Sequence, residues 1–302
     1  MISIKDVSKA YKTQQALKRV SLTIQPSTCF GLIGPNGAGK STLMKIVCGV
    51  LQEYNGEVTV RGINPAQYDQ AVKKELGYVP QDIVLTEELS AIDNLRFFGG
   101  VYGLRGKELE QRMKEVLALV GLEERGKDKV STFSGGMKRR INIGCALLHN
   151  PSVIVMDEPT VGIDPQSRNY IFDIILALKK EGKTIIYSSH YMEEVQYLCD
   201  DMALIDLGVV VESGNLMEII QKHSKQGVYV EGQDIMKEQL QSFGMLIEKG
   251  NGYLVSSDTP LETLQQIATY VREHQLHVQR LELSQTSLED IFLLLTGKKL
   301  RD

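Results

Sequence analysis

Hydrophobic and polar residues alternate along the beginning of the chain. Residues 2–4 and 20–24 show this period of two, which is typical of half-buried β-strands. An apolar run over residues 28–33 predicts a further strand that leads into a glycine-rich segment, and a helix is predicted over residues 41–50. The beginning of the chain is therefore predicted to consist of short strands followed by a strand, a loop and a helix.

The period becomes helical between residues 85 and 148. The apolar residues Met113, Val116, Leu117 and Val120 are three and four positions apart, and charged residues occupy the other positions. This spacing places the apolar side chains on one face of a helix. A helical insertion is therefore predicted in the middle third of the chain, over about residues 85–150.

Strand patterns return after the insertion. They cover residues 153–156, 184–187 and 202–205, and the predicted helices between them cover residues 168–180 and begin again at residue 192. Strands that alternate with helices usually form a parallel sheet that is covered by the helices. The fold class predicted for this part of the chain is α/β.

The last quarter of the chain has a different pattern, which begins after the polar residues 223–227. The order is strand, helix, two strands, helix and strand, over residues 228–230, 235–243, 246–248, 253–255, 261–274 and 278–283. That order matches a split βαβ unit of the ferredoxin-like kind. Thr286 and Glu289 fit a capping box for a closing helix, and Gly297 is placed to end it. We predict two domains, residues 1–222 and a small α+β domain of residues 227–302.

The net charge of the 302-residue chain is −4, which argues against broad affinity for nucleic acids, because such binding depends on clustered Lys and Arg. The Lys-Arg-Arg run at residues 138–140 is the exception. It could form a nucleic-acid patch, but three cations on an amphipathic helix favour the interpretation of a solvated face. We therefore predict no nucleic-acid partner.

The chain has no apolar run that approaches the roughly 20 residues needed to span a bilayer, and its first residues lack a secretory hydrophobic segment. We expect a protein that is soluble inside the cell. The cysteines are Cys29, Cys48, Cys145 and Cys199, and none is in a CxxC pair. They are predicted to be buried thiols rather than disulfides or zinc ligands.

The glycine-rich segment matches the full phosphate-loop pattern. It consists of Gly34, Pro35, Asn36, Gly37, Ala38, Gly39, Lys40 and Ser41, between a predicted strand and a predicted helix. In this pattern the main-chain N–H groups surround a β-phosphate, the Lys40 ammonium reaches the β- and γ-oxygens, and the Ser41 hydroxyl can ligate Mg²⁺. Thr42 is expected to donate the next N–H group to the α-phosphate.

An acidic pair follows the first strand after the insertion. Asp157 comes directly after four apolar residues, so it should emerge at the carboxyl end of a buried strand, where Mg²⁺ needs a second protein ligand. Glu158 should point in another direction and suits a general base for the attacking water.

Two further polar residues follow predicted strands. His190 comes after residues 185–189, where its imidazole could reach a γ-phosphate, and Gln81 comes after residues 77–80. Each is weak evidence alone and gains meaning from the phosphate loop. The other histidines are interpreted as structural.

A second glycine pair lies between the phosphate loop and the acidic pair. Residues 133–137 read Phe-Ser-Gly-Gly-Met and open a predicted helix, whose first N–H groups offer another set of phosphate donors. The phosphate loop, Gln81, this segment, the acidic pair and His190 occur in the order found in the ATP-binding cassette of ABC transporters. The chain resembles that family over about residues 1–220, although Phe133 and Met137 replace the usual leucine and glutamine.

The resemblance implies a P-loop NTPase with a RecA-like core, an antiparallel β subdomain and the helical insertion. It implies ATP and Mg²⁺ as cofactors, with Ser41, Gln81 and Asp157 at the metal and Glu158, Gln81 and His190 in catalysis. Tyr11 would stack on adenine, and Asp164 would belong to the D-loop. Ser134, Gly135 and Gly136 would meet the nucleotide bound by a second subunit, so that ATP holds the dimer together.

The leading hypothesis is the ATPase subunit of an ABC exporter. Such a subunit drives a separate integral-membrane permease from the cytoplasmic face of the cell membrane, as a pair of subunits for which a homodimer is favoured. The export direction follows from the likeness of residues 287–297 to the C-terminal extension of daunorubicin-resistance exporter ATPases. The alternatives are a soluble ABC ATPase that acts on nucleic acid or ribosomes and a nucleotide-binding regulator without turnover.

Overall fold

The computed structural model describes residues 1–12, 14–67, 70–223 and 226–296. The chain forms two compact units, and the division between them falls between Leu216 and Met217. The linker predicted over residues 223–227 includes residues 224 and 225, which lie outside the described residues, as does Gly297, the predicted end of the last helix.

The first unit contains nine of the described strands. They are β1 (Ile2–Tyr11), β2 (Gln14–Ile24), β3 (Cys29–Ile33), β4 (Asn55–Val60), β5 (Leu76–Val79), β6 (Val153–Met156), β7 (Thr184–Ser189), β8 (Asp201–Asp206) and β9 (Val209–Asn215). The described helices that lie entirely in this unit are α1 (Lys40–Val47), α2 (Gln70–Glu75), α3 (Ala91–Val101), α4 (Gly106–Leu119), α5 (Gly135–Leu147), α6 (Pro165–Lys180) and α7 (Met192–Leu198).

The main sheet has the strand order β5-β6-β7-β3-β8-β9. All neighbouring pairs are parallel except β8 and β9. Every residue of β3, β6 and β7 is buried, which explains why the sequence shows them as apolar runs rather than as alternating segments. The predicted α/β fold class is confirmed, and the carboxyl ends of β5, β6, β7 and β3 lie side by side.

A second sheet of this unit is antiparallel, with the order β2-β1-β4. Ile2 and Ile4 of β1 pair with Ile24 and Leu22 of β2, and these side chains join the buried core that also contains residues of β3 and α1. The alternation seen in the sequence therefore marks the face that packs on the core. The helical insertion is present as α3, α4 and α5.

Two helix ends differ from the prediction for identifiable reasons. Helix α1 ends at Val47 rather than at residue 50, because Gly49 adopts a left-handed φ of 69° and turns the chain away. Helix α6 begins at Pro165 rather than at residue 168. Asp164 caps it by accepting a hydrogen bond from the Ser167 N–H, and proline fits the first turn of a helix.

The interpretation of residues 138–140 as a solvated helix face is wrong. Arg139 is only 3% exposed, and its guanidinium donates hydrogen bonds to main-chain carbonyls of the loop after β5. The Arg140 guanidinium lies over the Tyr170 ring, and Lys138 pairs with Glu87. The charges have specific partners on neighbouring segments, which a helical period alone does not reveal.

The second unit contains a four-stranded antiparallel sheet. Its strands are β10 (Gln226–Glu231), β11 (Met245–Lys249), β12 (Gly252–Ser256) and β13 (Arg280–Gln285), in the order β11-β12-β10-β13. Its described helices are α9 (Lys237–Leu240), α10 (Pro260–Glu273) and α11 (Leu288–Thr296), and α8 (Leu216–His223) begins at the division between the units. The predicted split βαβ pattern is present, with the first helix much shorter than expected.

The capping box of α11 is displaced by one residue from the prediction. The Ser287 Oγ accepts a hydrogen bond from the Asp290 N–H, and the Asp290 carboxylate accepts one from the Ser287 N–H. Ser287 and Asp290 therefore form the box in place of Thr286 and Glu289, because the helix begins at Leu288.

Among the described helices, none has the length and apolar character needed to cross a membrane. The thiols of Cys29, Cys145 and Cys199 are buried and that of Cys48 is partly buried, and all are free, as predicted.

Candidate functional site

The phosphate loop connects β3 to α1 and depends on glycine at specific positions. A side chain on Gly34 would bring a Cβ within 2.1 Å of the Ile205 carbonyl oxygen. Gly39 has a φ of 111°, and a Cβ there would lie 2.6 Å from the Ala16 carbonyl oxygen. Only glycine allows the main chain to follow this path. Asn36 and Gly37 are exposed at the tip of the loop, and Thr42 lies in the first turn of α1.

The Lys40 ammonium is buried at the base of this loop. Nζ donates hydrogen bonds to the carbonyl oxygens of Gly34 and Pro35, at 2.7 and 3.3 Å, and lies 3.1 Å from Oε1 of Glu158. The side chains of Lys40 and Glu158 are 5% and 6% exposed. A buried cation with a single carboxylate partner is a strong candidate for binding an incoming anion.

Asp157 is held at the end of β6 by two hydroxyl groups. Its Oδ1 accepts hydrogen bonds from Ser41 at 3.1 Å and from Ser188 at 3.0 Å. Burial raises the pKa of the Asp157 carboxyl, and these two hydrogen bonds oppose that shift. The arrangement brings a serine hydroxyl and a carboxylate oxygen together at the foot of the phosphate loop, which is a donor set that suits Mg²⁺.

Glu158 points away from Asp157 because the chain turns at this residue. Its φ is 46°, an uncommon left-handed value for a residue other than glycine, and its N–H group donates to the Ser188 Oγ at 2.9 Å. The Glu158 carboxylate therefore faces Lys40 on one side and His190 on the other. The distance between His190 Nδ1 and Glu158 Oε2 is 3.3 Å, but the orientation gives no hydrogen bond.

A buried glutamate that the sequence analysis missed joins the two loops that carry Glu158 and His190. Glu194 is 3% exposed, and its Oε2 accepts hydrogen bonds from Thr160, Tyr187 and Ser189, at 3.0, 2.8 and 2.7 Å. Burial and the Glu194 charge raise the pKa of the Tyr187 phenol. The signal available in the sequence was an acidic residue at a position where α7 faces the sheet.

Ser188 was also missed, although it contacts both acidic residues. Ser188 lies near the end of a buried strand, next to Ser189, and nothing in the sequence distinguishes it from a serine with a purely structural role. Its Oγ donates to the Asp157 carboxylate and accepts from the Glu158 N–H, so one hydroxyl holds the Asp157 side chain and the main chain of Glu158.

The second glycine pair opens α5. Ser134 caps the helix by accepting a hydrogen bond from the Met137 N–H at 3.2 Å, and Gly135 is exposed. Gly136 is buried against α6, where a Cβ would lie 2.0 Å from the Ser167 Oγ. The first N–H groups of a helix have no partners within the helix and are available to an anion. Close packing on α6 is a second reason for glycine at position 136.

The remaining predicted residues lie at the edges of this region. Asp164 caps α6, and the hydrogen bond from the Ser167 N–H lowers the pKa of its carboxyl. Gln81 is exposed, two residues after the end of β5, and its carbonyl accepts a hydrogen bond from Arg139. Tyr11 ends β1 and is 46% exposed, with the Lys9 ammonium 5.3 Å from the centre of its ring.

Comparisons with known proteins identify the family of this chain. The model of the ABC transporter family matches residues 17–161. The linearmycin resistance ATP-binding protein LnrL of Bacillus subtilis (strain 168) is 39% identical, and the alignment covers 100% of both chains. The chain belongs to the ABC transporter ATP-binding proteins. A Nod factor export ATP-binding protein of Cupriavidus metallidurans is 32% identical over 100% of this chain and 99% of its own length.

Solved structures of ABC ATPases share the fold. An ATP-binding subunit of an ABC transporter is 31% identical, with a TM-score of 0.67 over 74% of this chain and 92% of its own. A dimeric ATP-binding cassette in a post-hydrolysis state, bound to ADP and phosphate, is 27% identical, with a TM-score of 0.66 over 72% of this chain and 99% of its own. The chain is an ATP-binding subunit and an ATPase.

Few protein side chains beside the phosphate loop are arranged to bind a metal ion. Among the described residues, no group of three or more His, Cys, Asp or Glu side chains is arranged to hold a metal ion. Mg²⁺ in nucleotide enzymes is usually bound by one or two protein groups and the phosphates. Ser41 and Asp157 fit that kind of site, because their oxygen atoms lie 3.1 Å apart.

Proposed function

We propose that this chain is the cytoplasmic ATPase subunit of an ABC exporter, and that two copies enclose two ATP molecules and drive a separate integral-membrane permease. The observation that carries the proposal is the series of close contacts from the buried Lys40 through the buried Glu158 to the partly buried His190, beside Asp157. These residues come from the ends of neighbouring strands and from the phosphate loop. Their arrangement supplies an anion-binding cation and a candidate base within one site.

The phosphate loop binds ATP in this proposal. The main-chain N–H groups of the phosphate loop surround the phosphates, and Lys40 changes its partners from the loop carbonyls and Glu158 to the β- and γ-oxygens. Tyr11 stacks on the adenine. The exposure of the Tyr11 ring supports this role, because a ring that forms part of the core would be buried.

Ser41, Asp157 and Gln81 would hold Mg²⁺ in this proposal. The support is the contact between Ser41 and Asp157 and the place of Gln81 after β5, the strand adjacent to β6. When bound there, Mg²⁺ would supply positive charge that offsets the charge developing on the phosphates.

Glu158 acts as the general base for the attacking water. When the γ-phosphate binds the Lys40 ammonium, the Glu158 carboxylate loses its cationic partner and becomes free to accept a proton from water. His190 faces both the phosphate position and Glu158, and it orients the two. The strained φ of Glu158 supports a functional role, because strain of this kind is retained where the geometry is needed.

The nucleotide site is completed by a second subunit. The helix N-terminus formed by Ser134, Gly135 and Gly136 offers phosphate donors, and Asp164 lies close to Gly136, with a distance of 3.2 Å from its Oδ2 to a Cβ placed there. We propose that these residues contact the ATP bound by the partner subunit in a homodimer. ATP is then the main link between the two subunits.

The permease contact is assigned to the insertion and to the loop after β5. Phe97 and Val101 lie four residues apart on α3 and are 63% and 67% exposed, and Val84 of the loop is 50% exposed. Exposed apolar groups of this kind mark interaction surfaces. Such contact places the protein on the cytoplasmic face of the cell membrane. The export direction is supported by the names of the relatives, which are a resistance protein and export proteins.

The variant Glu158→Gln tests the proposal. It should bind ATP within about twofold of the wild-type affinity and lose turnover by about 10²–10⁴-fold, because the general base is removed. With ATP and Mg²⁺ it should elute as a dimer in size-exclusion chromatography, since the closed site persists when hydrolysis stops. A variant that stays monomeric, or that hydrolyses ATP normally, removes Glu158 from this role.

The control is Lys40→Ala. This variant should lose ATP affinity by about tenfold or more, since a buried charge contact to phosphate is lost. It should remain monomeric in the presence of ATP. Unchanged affinity would show that the phosphate loop is assigned incorrectly.

A further inference from the structure

Two side chains of α5, Arg139 and Asn142, make three hydrogen bonds to the loop after β5. The Arg139 guanidinium donates to the carbonyl oxygens of Pro80, at 2.7 Å, and of Gln81. Three residues later on the same helix, Asn142 Oδ1 accepts a hydrogen bond from the Val84 N–H at 3.2 Å. The two side chains therefore hold the main chain on both sides of Gln81.

Both side chains are buried, which makes these contacts strong constraints. Arg139 is 3% exposed and Asn142 is 2% exposed. A guanidinium with two carbonyl acceptors defines both the position and the orientation of a peptide segment. Removing such a partner leaves buried polar groups without hydrogen bonds, so the loop cannot leave these contacts without cost.

The helix that carries Arg139 and Asn142 begins at the second glycine pair. Ser134 caps the helix, and Arg139 follows five residues later, about 8 Å along the helix axis. The helix body between and beyond them is buried at Gly136, Ile141 and Ile143. A helix packed in this way moves as one body, so a shift at its N-terminus reaches Arg139 and Asn142.

We propose that Arg139 and Asn142 are positioning residues that make the placement of Gln81 depend on the placement of α5 in the same subunit. This inference rests on the proposed function, in which the α5 N-terminus meets the partner's nucleotide and Gln81 meets the nucleotide of its own subunit. ATP at one site then affects the geometry of the other site through one helix. We call this path from the α5 N-terminus through Arg139 and Asn142 to the loop at Gln81 the relay.

A double-mutant cycle between Arg139→Lys and Gln81→Ala tests the relay in the full-length chain. Lysine keeps the charge but cannot hold two carbonyls in a fixed geometry. Arg139→Lys alone should lower kcat by about tenfold, with the Kd for ATP changed by less than about twofold, because the phosphate loop is untouched. In the Gln81→Ala background the same change should cost less than about twofold, since the relay has lost its target.

The control is Arg96→Lys in α3. The Arg96 guanidinium donates to the carboxylates of Asp93 and Glu110, and these contacts involve neither α5 nor the loop after β5. Its effect on kcat should be the same in the presence and absence of Gln81→Ala. A difference for Arg139 and none for Arg96 supports the relay, because an arginine outside the relay gives additive losses.

Equal losses for Arg139→Lys in both backgrounds would overturn the inference while leaving the role of Gln81 intact. If Gln81→Ala alone leaves kcat unchanged, the proposed role of Gln81 fails, and the relay fails with it. Thermal unfolding of each variant shows whether it is folded. If Arg139→Lys does not fold, Asn142→Ala replaces it in the same cycle, because it removes only the acceptor for the Val84 N–H.

Discussion

The two units of the molecule use buried charge in different ways. In the first unit Lys40, Asp157, Glu158 and Glu194 are each 5% exposed or less, and they come from the phosphate loop, the end of β6 and the start of α7. In the described part of the second unit, Asp290 is the buried Asp, Glu, Lys or Arg residue, and it is also 5% exposed. Its partners are the Ser287 N–H, three residues away, and the Lys249 ammonium.

The difference separates structural charge from functional charge. Asp290 caps a helix and pairs with a half-exposed lysine, so its contacts account for its burial. The charges of the first unit contact each other across segments that are distant in the sequence, such as Lys40 and Glu158. Burying them costs folding free energy that apolar residues would not cost. Clusters of this kind are typical of sites where charge is needed for binding or chemistry.

Among the changes that test this comparison of the two units, the largest effect is expected for Glu194→Ala, which tests whether a residue outside the family motifs belongs to the functional set. The change removes the common acceptor of Thr160, Tyr187 and Ser189, which hold the segments next to Glu158 and His190. We expect kcat to fall by about 100-fold, since small displacements of catalytic groups have effects of this size. The Kd for ATP should change little, because Lys40 keeps its contacts.

The matched control is Glu193→Ala, the preceding residue of the same helix, whose side chain is exposed. The kcat and the Kd for ATP of this control, measured by steady-state kinetics and ATP binding, should be close to those of the wild type. Glu194→Gln keeps a carbonyl acceptor and should recover part of the lost activity. A folded Glu194→Ala protein with normal kcat would contradict the view that buried charge in the first unit is functional.

A smaller effect, on the free energy of unfolding, is expected for His149→Gln. His149 belongs to the first unit and has a shifted pKa, but it lies outside the candidate site, so it tests whether every perturbed group of that unit is functional. Its Nε2 donates to the Leu76 carbonyl at 2.9 Å, its ring stacks on Tyr102, and Nδ1 is buried without a hydrogen-bond partner among the described residues. Burial lowers its pKa to about 4. Protonation would place a charged N–H group where nothing accepts it.

The sign of the pH dependence follows from this shift. The unfolded chain binds a proton on His149 below its ordinary pKa, while the folded chain resists protonation until the pH approaches about 4. Stability is therefore present above the ordinary pKa and is lost as the pH falls. Between about pH 7 and about pH 4.5, the wild type should lose about 2 kcal/mol more unfolding free energy than His149→Gln. Denaturant titrations at both pH values measure this, and equal losses would show that His149 is not neutral in the fold.

Much of the site could be predicted from the sequence because it follows from strand ends. The phosphate loop and Asp157 follow apolar runs, and strands of a parallel sheet direct their carboxyl ends to one edge. The loop conformation at Gly39 and the helix cap at Ser134 also depend on residues that are close in the sequence. These placements could be predicted because each depends on a short segment whose structure is determined by its own residues.

The missed features depend on contacts between distant segments. Arg139 was interpreted as a solvated cation because a helical period does not show which neighbour a side chain meets, and its partners are 58 and 59 residues away. Glu194 and Ser188 were missed for the same reason, since their partners belong to other strands and loops. The capping box of α11 was misplaced by one residue, because Ser and Thr at adjacent positions both satisfy the pattern.

The smallest effect is expected for Asp290→Ala in the second unit. This variant tests most directly whether buried charge in that unit has only a structural role. The variant loses the acceptor for the Ser287 N–H and leaves Lys249 without this partner. The free energy of unfolding should fall by about 1 kcal/mol, the usual size for a lost helix cap and a partly exposed ion pair, while kcat and ATP affinity stay unchanged. The exposed neighbour Glu289, changed to Ala, is the control and should alter neither quantity. Loss of ATPase activity in a stable Asp290→Ala protein would mean that buried charge in the second unit also serves the reaction, and the distinction between the two units would fail.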